Sequence, residues 1–378
     1  MKNYVVISVI LIVALSQINC EQKSSDNKSR PTSELLVRNV IDTVGFSQTP
    51  HQIEEIVRTA ESIEREHLNT INSRFISDDE SPWIAAICPH DDHVLAARVY
   101  VSVFQNMVLE SDSPVFVVFG VAHKAWRWDA ENVLIFDSFD FWKAPYGNME
   151  VSSLRDELIA LLPSDNFVIN NEWQQEEHSV EGIVPFIQYY NRNAHIISIL
   201  VPYMNWDRLE ILSQNLAGAM QTVMLKHKLK PGKDIAFIFS NDGSHYGDED
   251  WGGKNYAPYG TDQQGYQTAI KNDVNLLVQT LTGKVTSTKL KSFCDRVWGD
   301  DLRTYKMTWC GRFAIPLGLN TVKLVVNEQL NRSMRGHFLR YDTSYKLGRL
   351  PVAQDIGIGT TMPYNIHHWV GYSAVGYR

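Results

Sequence analysis

Apolar runs that each stop at a cluster of ionisable residues constrain this chain more than any other feature. Trp83-Ile-Ala-Ala-Ile-Cys-Pro-His-Asp-Asp-His93 is apolar up to Pro89, four polar residues follow, and an apolar helical pattern then covers 94–108. Strand, ligand-rich corner, helix is how an α/β sheet presents chemistry at the carboxyl ends of its strands. The pattern recurs. A strand over 115–119 ends at Gly120-Val-Ala-His123, and one over 235–239 ends at a polar loop, Ser240-Asn-Asp-Gly-Ser-His-Tyr-Gly247. Further strands are expected over 84–88, 133–136 and 195–201, with two more over 336–341 and 370–377 closing the sheet. Helical spacing marks 51–68, 152–162, 180–190, 207–225 (Asp207 at its cap), 266–281 and 287–293.

The first 20 residues read as an export leader: one early Lys2, an apolar stretch from Val5 to Leu15, then Ser16-Gln-Ile-Asn-Cys20. A Cys at that point is similar to a bacterial lipoprotein cleavage site, with Cys20 the lipidated residue and the membrane the partner of its lipid anchor. An ordinary leader with an incidental Cys stays open. Residues 21–35 are polar and lack periodicity, as a flexible tether would be. The remainder, 36–378, then forms a single α/β domain exposed at the cell envelope.

A net charge of −8 without a Lys/Arg block excludes a nucleic-acid partner. Setting Cys20 aside leaves Cys88, Cys294 and Cys310, an odd set that implies a free thiol or a metal thiolate. The strand pleat turns Cys88 away from Pro89 and into the core. Trp126, Trp128, Trp142, Trp173, Trp206, Trp251 and Trp309 fall mostly in expected loops, giving either an aromatic-walled cleft or ordinary packing.

His90, His93, His123, Asp242 and His245 sit at or beside strand ends, Glu177-His178 precedes one helix, and Cys310 opens another. Such ends converge on one rim of an α/β sheet. Neutral imidazoles with a thiolate suit Zn, Fe(II) or Cu(I) and not Mg or Ca. A helix N-terminus would lower the Cys310 pKa toward thiolate, Gly311 would allow close backbone approach, and Arg312 would hold an anionic ligand or pair with a rim carboxylate. Asp242 and His245 offer an acid/base pair in which the carboxylate fixes the imidazole tautomer. Asp92 is expected to cap the following helix, leaving His93 in its first turn, facing the cleft.

Pro89-His90, Gly120-x-x-His123, Glu177-His178-Ser179-x-Glu181 leading to Pro185-Phe186, Ser240-x-Asp242-x-x-His245-x-Gly247, Cys310-Gly311-Arg312 and Gly371-Tyr372 follow one another in an order that resembles the Memo family, the family of AmmeMemoRadiSam system protein B. The resemblance implies a fold similar to class III extradiol dioxygenases, a central mixed β-sheet flanked by helices. It also implies a mononuclear metal site from His90, His123 and Cys310, with Asp242 and His245 beside it; beyond the resemblance, His245 and Asp242 are read as catalytic and His93, Arg312 and His178 as facing a small-molecule substrate. Cys310 stands where the related dioxygenases have a Glu, which softens the site and leaves open iron or copper redox chemistry in place of ordinary catechol cleavage. Asp91-Asp92-His93 also departs from the family's usual Ala-Gly-Tyr. Two other readings stay open: a zinc hydrolase using His90 and His93, and a non-catalytic envelope lipoprotein that captures a metal or ligand. Oligomeric state is not legible.

Overall fold

The computed structural model describes residues 35–76 and 81–378, so the leader and Cys20 lie outside the described residues. Its strands in chain order are β1 (Val37–Arg38), β2 (Ala85–Cys88), β3 (Val115–Val121), β4 (Leu134–Phe136), β5 (Phe141–Trp142), β6 (Met149–Glu150), β7 (Phe167–Ile169), β8 (His195–Val201), β9 (Ile235–Ser240), β10 (Asp242–Gly247), β11 (Gly283–Lys284), β12 (Arg335–Thr343) and β13 (His368–Tyr377). A 10-stranded sheet runs β11-β12-β13-β2-β9-β3-β8-β4-β7, with β10 paired to β13 off that path. β1, β5 and β6 form a small separate sheet.

The large sheet is mixed. Its centre, β2, β9, β3 and β8, is parallel, whereas β13, β12 and β11 are antiparallel additions. The central strands lack polar alternation because both faces are covered, and every residue of β2, β3 and β9 is buried. The helix His93–Phe104 packs on β2, β12 and β13, and the helix Ala314–Leu330 packs on β3, β8, β9 and the helix Trp206–His227. Pro89 ends β2 because it has no N–H for the ladder. Asn205, and not Asp207, caps Trp206–His227, its side chain accepting from the Arg208 amide at 2.9 Å.

This order positions the site. Cys88 is in register with Ser240, and Phe119 with Phe239, so the carboxyl ends of β2, β9 and β3 lie side by side. The chain leaves those ends through His90, Asp242 and His123. The expected 240–247 loop is instead largely β10, with Asp242 opposite Tyr372, His245 opposite Val370 and a bulge between them. Its Gly-rich, polar sequence hides a strand whose ladder comes from β13. Among the described residues no helix is long and apolar enough to cross a membrane.

Candidate functional site

Each of the two rim histidines has one nitrogen committed. Ser240 Oγ donates to the Ser179 carbonyl at 2.6 Å, so it accepts from His90 Nδ1 at 2.7 Å. The His90 proton therefore sits on Nδ1 and the lone pair on Nε2. At His123, Nδ1 donates to Glu177 Oε1 at 2.8 Å while the His123 backbone amide donates to Oε2 at 2.8 Å. Glu177 Oε1 also accepts from the amides of His178 and Ser179, each at 2.9 Å. Burial works against a charge on Glu177, but His123, His178 and the Ser179 amide outweigh it and hold the carboxyl at about 2. An ionised carboxylate can only accept, so His123 too presents Nε2.

Cys310 completes the group. One ligand atom each from His90, His123 and Cys310 lies within 4.8 Å of the others, and Cys310 Sγ is 3.5 Å from His90 Nε2. Gly311 allows this approach: a Cβ there would come within 2.6 Å of the Asn241 side chain and 2.7 Å of the Ser240 carbonyl. The expected helix-terminus effect on Cys310 does not hold. Cys310–Arg312 is a short 3-10 turn, and the helix starts at Ala314. Burial, then the nearby Asp242, push the thiol well above its ordinary value.

Asp242 and His245 are not paired. Asp242 Oδ1 accepts from the His90 amide at 3.0 Å, and Oδ2 lies 3.2 Å from His90 Nε2. Burial and then Asp91 raise its carboxyl well above the usual range. His245 Nδ1 donates instead to the carbonyls of Thr308 at 3.0 Å and Gly243 at 3.2 Å. Main chain, not a carboxylate, thus fixes the His245 tautomer and leaves Nε2 as the acceptor.

His93 does not face the cleft. It is fully buried against Phe46, Tyr100 and Phe186. Nδ1 accepts from the Ser47 amide at 3.0 Å and Nε2 donates to the Gly182 carbonyl at 2.8 Å, so neither nitrogen is free for a metal or substrate. That removes the hydrolase built on His90 and His93. Asp92 occupies the N-cap position without capping, because its carboxylate is taken by the Thr361 amide at 2.6 Å and hydroxyl at 3.0 Å. Arg312 makes no ion pair among the described residues. It stacks over Tyr305 at 3.7 Å and donates to the Leu302 carbonyl at 3.2 Å.

His178 stacks on His123 at 4.7 Å with an 8° interplanar angle, and burial, then His123, lowers it to about 4. Together with His90, His123, Asp242 and His245 it lines a cavity of about 820 Å³ that also carries Asp42, Asp91, Asp92 and Asp250. Of the tryptophans, Trp142 and Trp309 are core, Trp128 stacks on Trp173, and only Trp251 lines this cavity, stacked on His368 at 3.7 Å.

Residues 58–361 match the Memo-like protein family. The chain belongs to that family. It is 24% identical over 70% of its length to a MEMO1 family protein of Pyrococcus abyssi, of which 81% is covered. It is 25% identical over 75% of its length to one of Thermococcus kodakarensis, 90% covered. A third, from Methanosarcina barkeri, is 27% identical over 43% of this chain and 55% of its own.

In this Memo-like chain the donor set fits a transition metal. Ligand atoms around a common tetrahedral ion stand about 3.3–3.8 Å apart, a spacing that the His90–Cys310 distance already meets. A second grouping of His123, Glu177 and His178 is a hydrogen-bond cluster and not a ligand set, since four N–H groups already occupy the Glu177 oxygens. Glu177 and Ser240, which orient the two histidines, have no role in the sequence reading, and neither does His368. The signal for Glu177 was its place beside His178. Ser240 is marked only as the first residue of the motif that runs to Gly247, with nothing to show that it would orient His90. Cys88, Cys294 and Cys310 are all free and buried.

Proposed function

We propose that this Memo-like chain is a metal-dependent oxidoreductase acting on a small molecule, with a mononuclear iron or copper ion held by His90, His123 and Cys310. The observation that carries the reading is the convergence of their three ligand atoms within 4.8 Å. The committed Nδ1 atoms of both histidines support it, because outer partners of this kind orient ligands and raise their basicity. Iron or copper, when bound, supplies one-electron chemistry; the protein supplies position, proton handling and shelter from water.

His245 is the base in this reading. Its Nδ1–H is held by the main chain, so Nε2 takes a proton from a substrate hydroxyl. Asp242 lies against His90, and its burial favours the protonated form, which would let it move a proton beside the site. His178 stacks beside His123 where a substrate enters, and the Trp251–His368 pair walls the opposite entry from water. We also propose that the chain is exported and held at the cell envelope through a lipid on Cys20, a reading supported by the apolar leader and the polar tether after it.

The test is metal analysis of the chain from Glu21 onward, purified without oxygen, beside Cys310→Ser and His123→Ala. One iron or copper per chain, lost in both variants, with dioxygen uptake on a panel of phenols, supports the oxidoreductase. Stoichiometric zinc without redox turnover overturns it. Metal binding without any product leaves a binding protein.

A further inference from the structure

We propose that a second recess beside the metal centre is a subsite for the acid group of a small ligand, a carboxylate or a phosphate on a monocyclic or short apolar body. The proposal rests on the metal-centre reading for its orientation, since His123 and Cys310 line the recess and would face the rest of the ligand.

The recess is a cavity of about 250 Å³, lined by Lys254, Arg303 and Arg312 and by no carboxylate. That is unusual in a chain of net charge −8, and it contrasts with the neighbouring cavity, where Asp42, Asp91, Asp92, Asp242 and Asp250 gather. Both cavities share His123. A ligand at the centre therefore meets three cationic side chains on the side of the recess. Clustered like charge of that kind selects for an anion there.

Arg312 is the second, independent observation. Only 7% of it is exposed, and its Nε–H, buried, has no acceptor. The guanidinium lies over the rings of Tyr305 at 3.7 Å and Phe313 at 4.8 Å, and among the described residues its side chain donates to the Leu302 carbonyl at 3.2 Å. A buried, stacked guanidinium without an ion-pair partner is costly alone, and a carboxylate or phosphate in the recess that Arg312 lines would offset its charge.

The other two cations are available at the mouth. Lys254 is exposed and has no ion-pair partner among the described residues, and Arg303 has only Asp129 at 3.8 Å, an exposed pair of the weak kind. Apolar walls from Val121, Val201, Tyr203 and Trp126 then suit a flat or short apolar body behind the acid group. A volume of about 250 Å³, just below the usual range of ligand pockets, suits one small acid-bearing group.

The test measures binding to the purified chain by calorimetry, with metal and after chelation. The probes are benzoate, phenyl phosphate and the neutral benzyl alcohol. Benzoate or phenyl phosphate is expected to bind saturably, more weakly as salt rises, and the tighter of the two identifies the acid. Affinity should fall about tenfold or more in Arg312→Gln and in the exposed double variant Lys254→Gln/Arg303→Gln. Should Arg312→Gln fail to fold, the double variant decides. Equal binding of the preferred acid in that variant, benzyl alcohol as good as benzoate, or no anion binding at all overturns the subsite. Metal content is read separately: a wild-type chain that holds metal but binds neither acid defeats this inference alone, and a wild-type chain purified without metal that still binds the acid defeats only the oxidoreductase reading.

Discussion

Glu177 holds His123 at two points, one carboxylate oxygen 2.8 Å from Nδ1 and the other 2.8 Å from the backbone amide. The imidazole thus cannot swing without breaking a charged contact, and its Nε2 is aimed before any metal arrives. Glu177→Gln keeps the shape but loses the charge. Metal affinity should drop about 10- to 100-fold, measured by chelator competition. An unchanged affinity would take Glu177 out of the ligand-orienting role.

His93→Ala separates a packing histidine from a ligand. It removes a buried ring among three aromatics and the bonds to Ser47 and Gly182. Urea unfolding should show a loss of about 2–4 kcal/mol, while metal per folded chain stays at the wild-type level.

Gly311→Ala should act in the opposite way. The added methyl meets Asn241 and the end of β9, so Cys310 must move. We expect about 1–3 kcal/mol of destabilisation together with weaker metal binding, read by thermal unfolding and chelator competition on the same samples.

Acid stability should depend on Glu64. Arg98 and Arg340 both pair with this nearly buried carboxylate. Burial pushes its pKa up, but the two arginines outweigh that and hold it below the ordinary value. A carboxyl depressed in the folded state contributes stability that is fully present above its unfolded pKa. That stability is lost as pH falls through the folded value. Glu64→Gln should cost about 1–3 kcal/mol at neutral pH, since Arg340 keeps its pair with Asp342 but loses a charged partner, and the gap to wild type should narrow steadily below pH of about 4. A constant gap down to low pH would contradict the assignment.

Expressed in a bacterium with its leader, the chain should incorporate labelled palmitate, and Cys20→Ser should abolish the label. Label retained in the variant would place the lipid elsewhere or remove it from the account.

The central sheet could be read from the sequence because its parallel strands are continuous apolar runs, and their ends fall where the chain turns polar. Those ends also mark His90 and His123 as candidates, but it is the resemblance to the Memo family that groups them with Cys310. What failed were local readings settled by distant residues. His93 looked like a cleft residue until Phe46 and Phe186, from far along the chain, closed over it. Asp92 looked like a cap, and the Thr361 amide 269 residues away took its carboxylate. Asp242 and His245 share one short segment, but the bulge in β10 and the Thr308 carbonyl give them different partners. Arg312 gave no hint of its isolation, because an unmet donor is a property of its surroundings.

His90 and Cys310 stand 220 residues apart in the chain. With His90, His123 and Cys310 as the proposed ligands, a nascent chain lacking the segment after β10 would own at most two of the three, so tight metal capture would have to wait until almost the whole polypeptide is made and the sheet has closed. Under that proposal, metal occupancy would report completed folding, and in cells short of metal the unfilled population would be mature chains, not half-built ones.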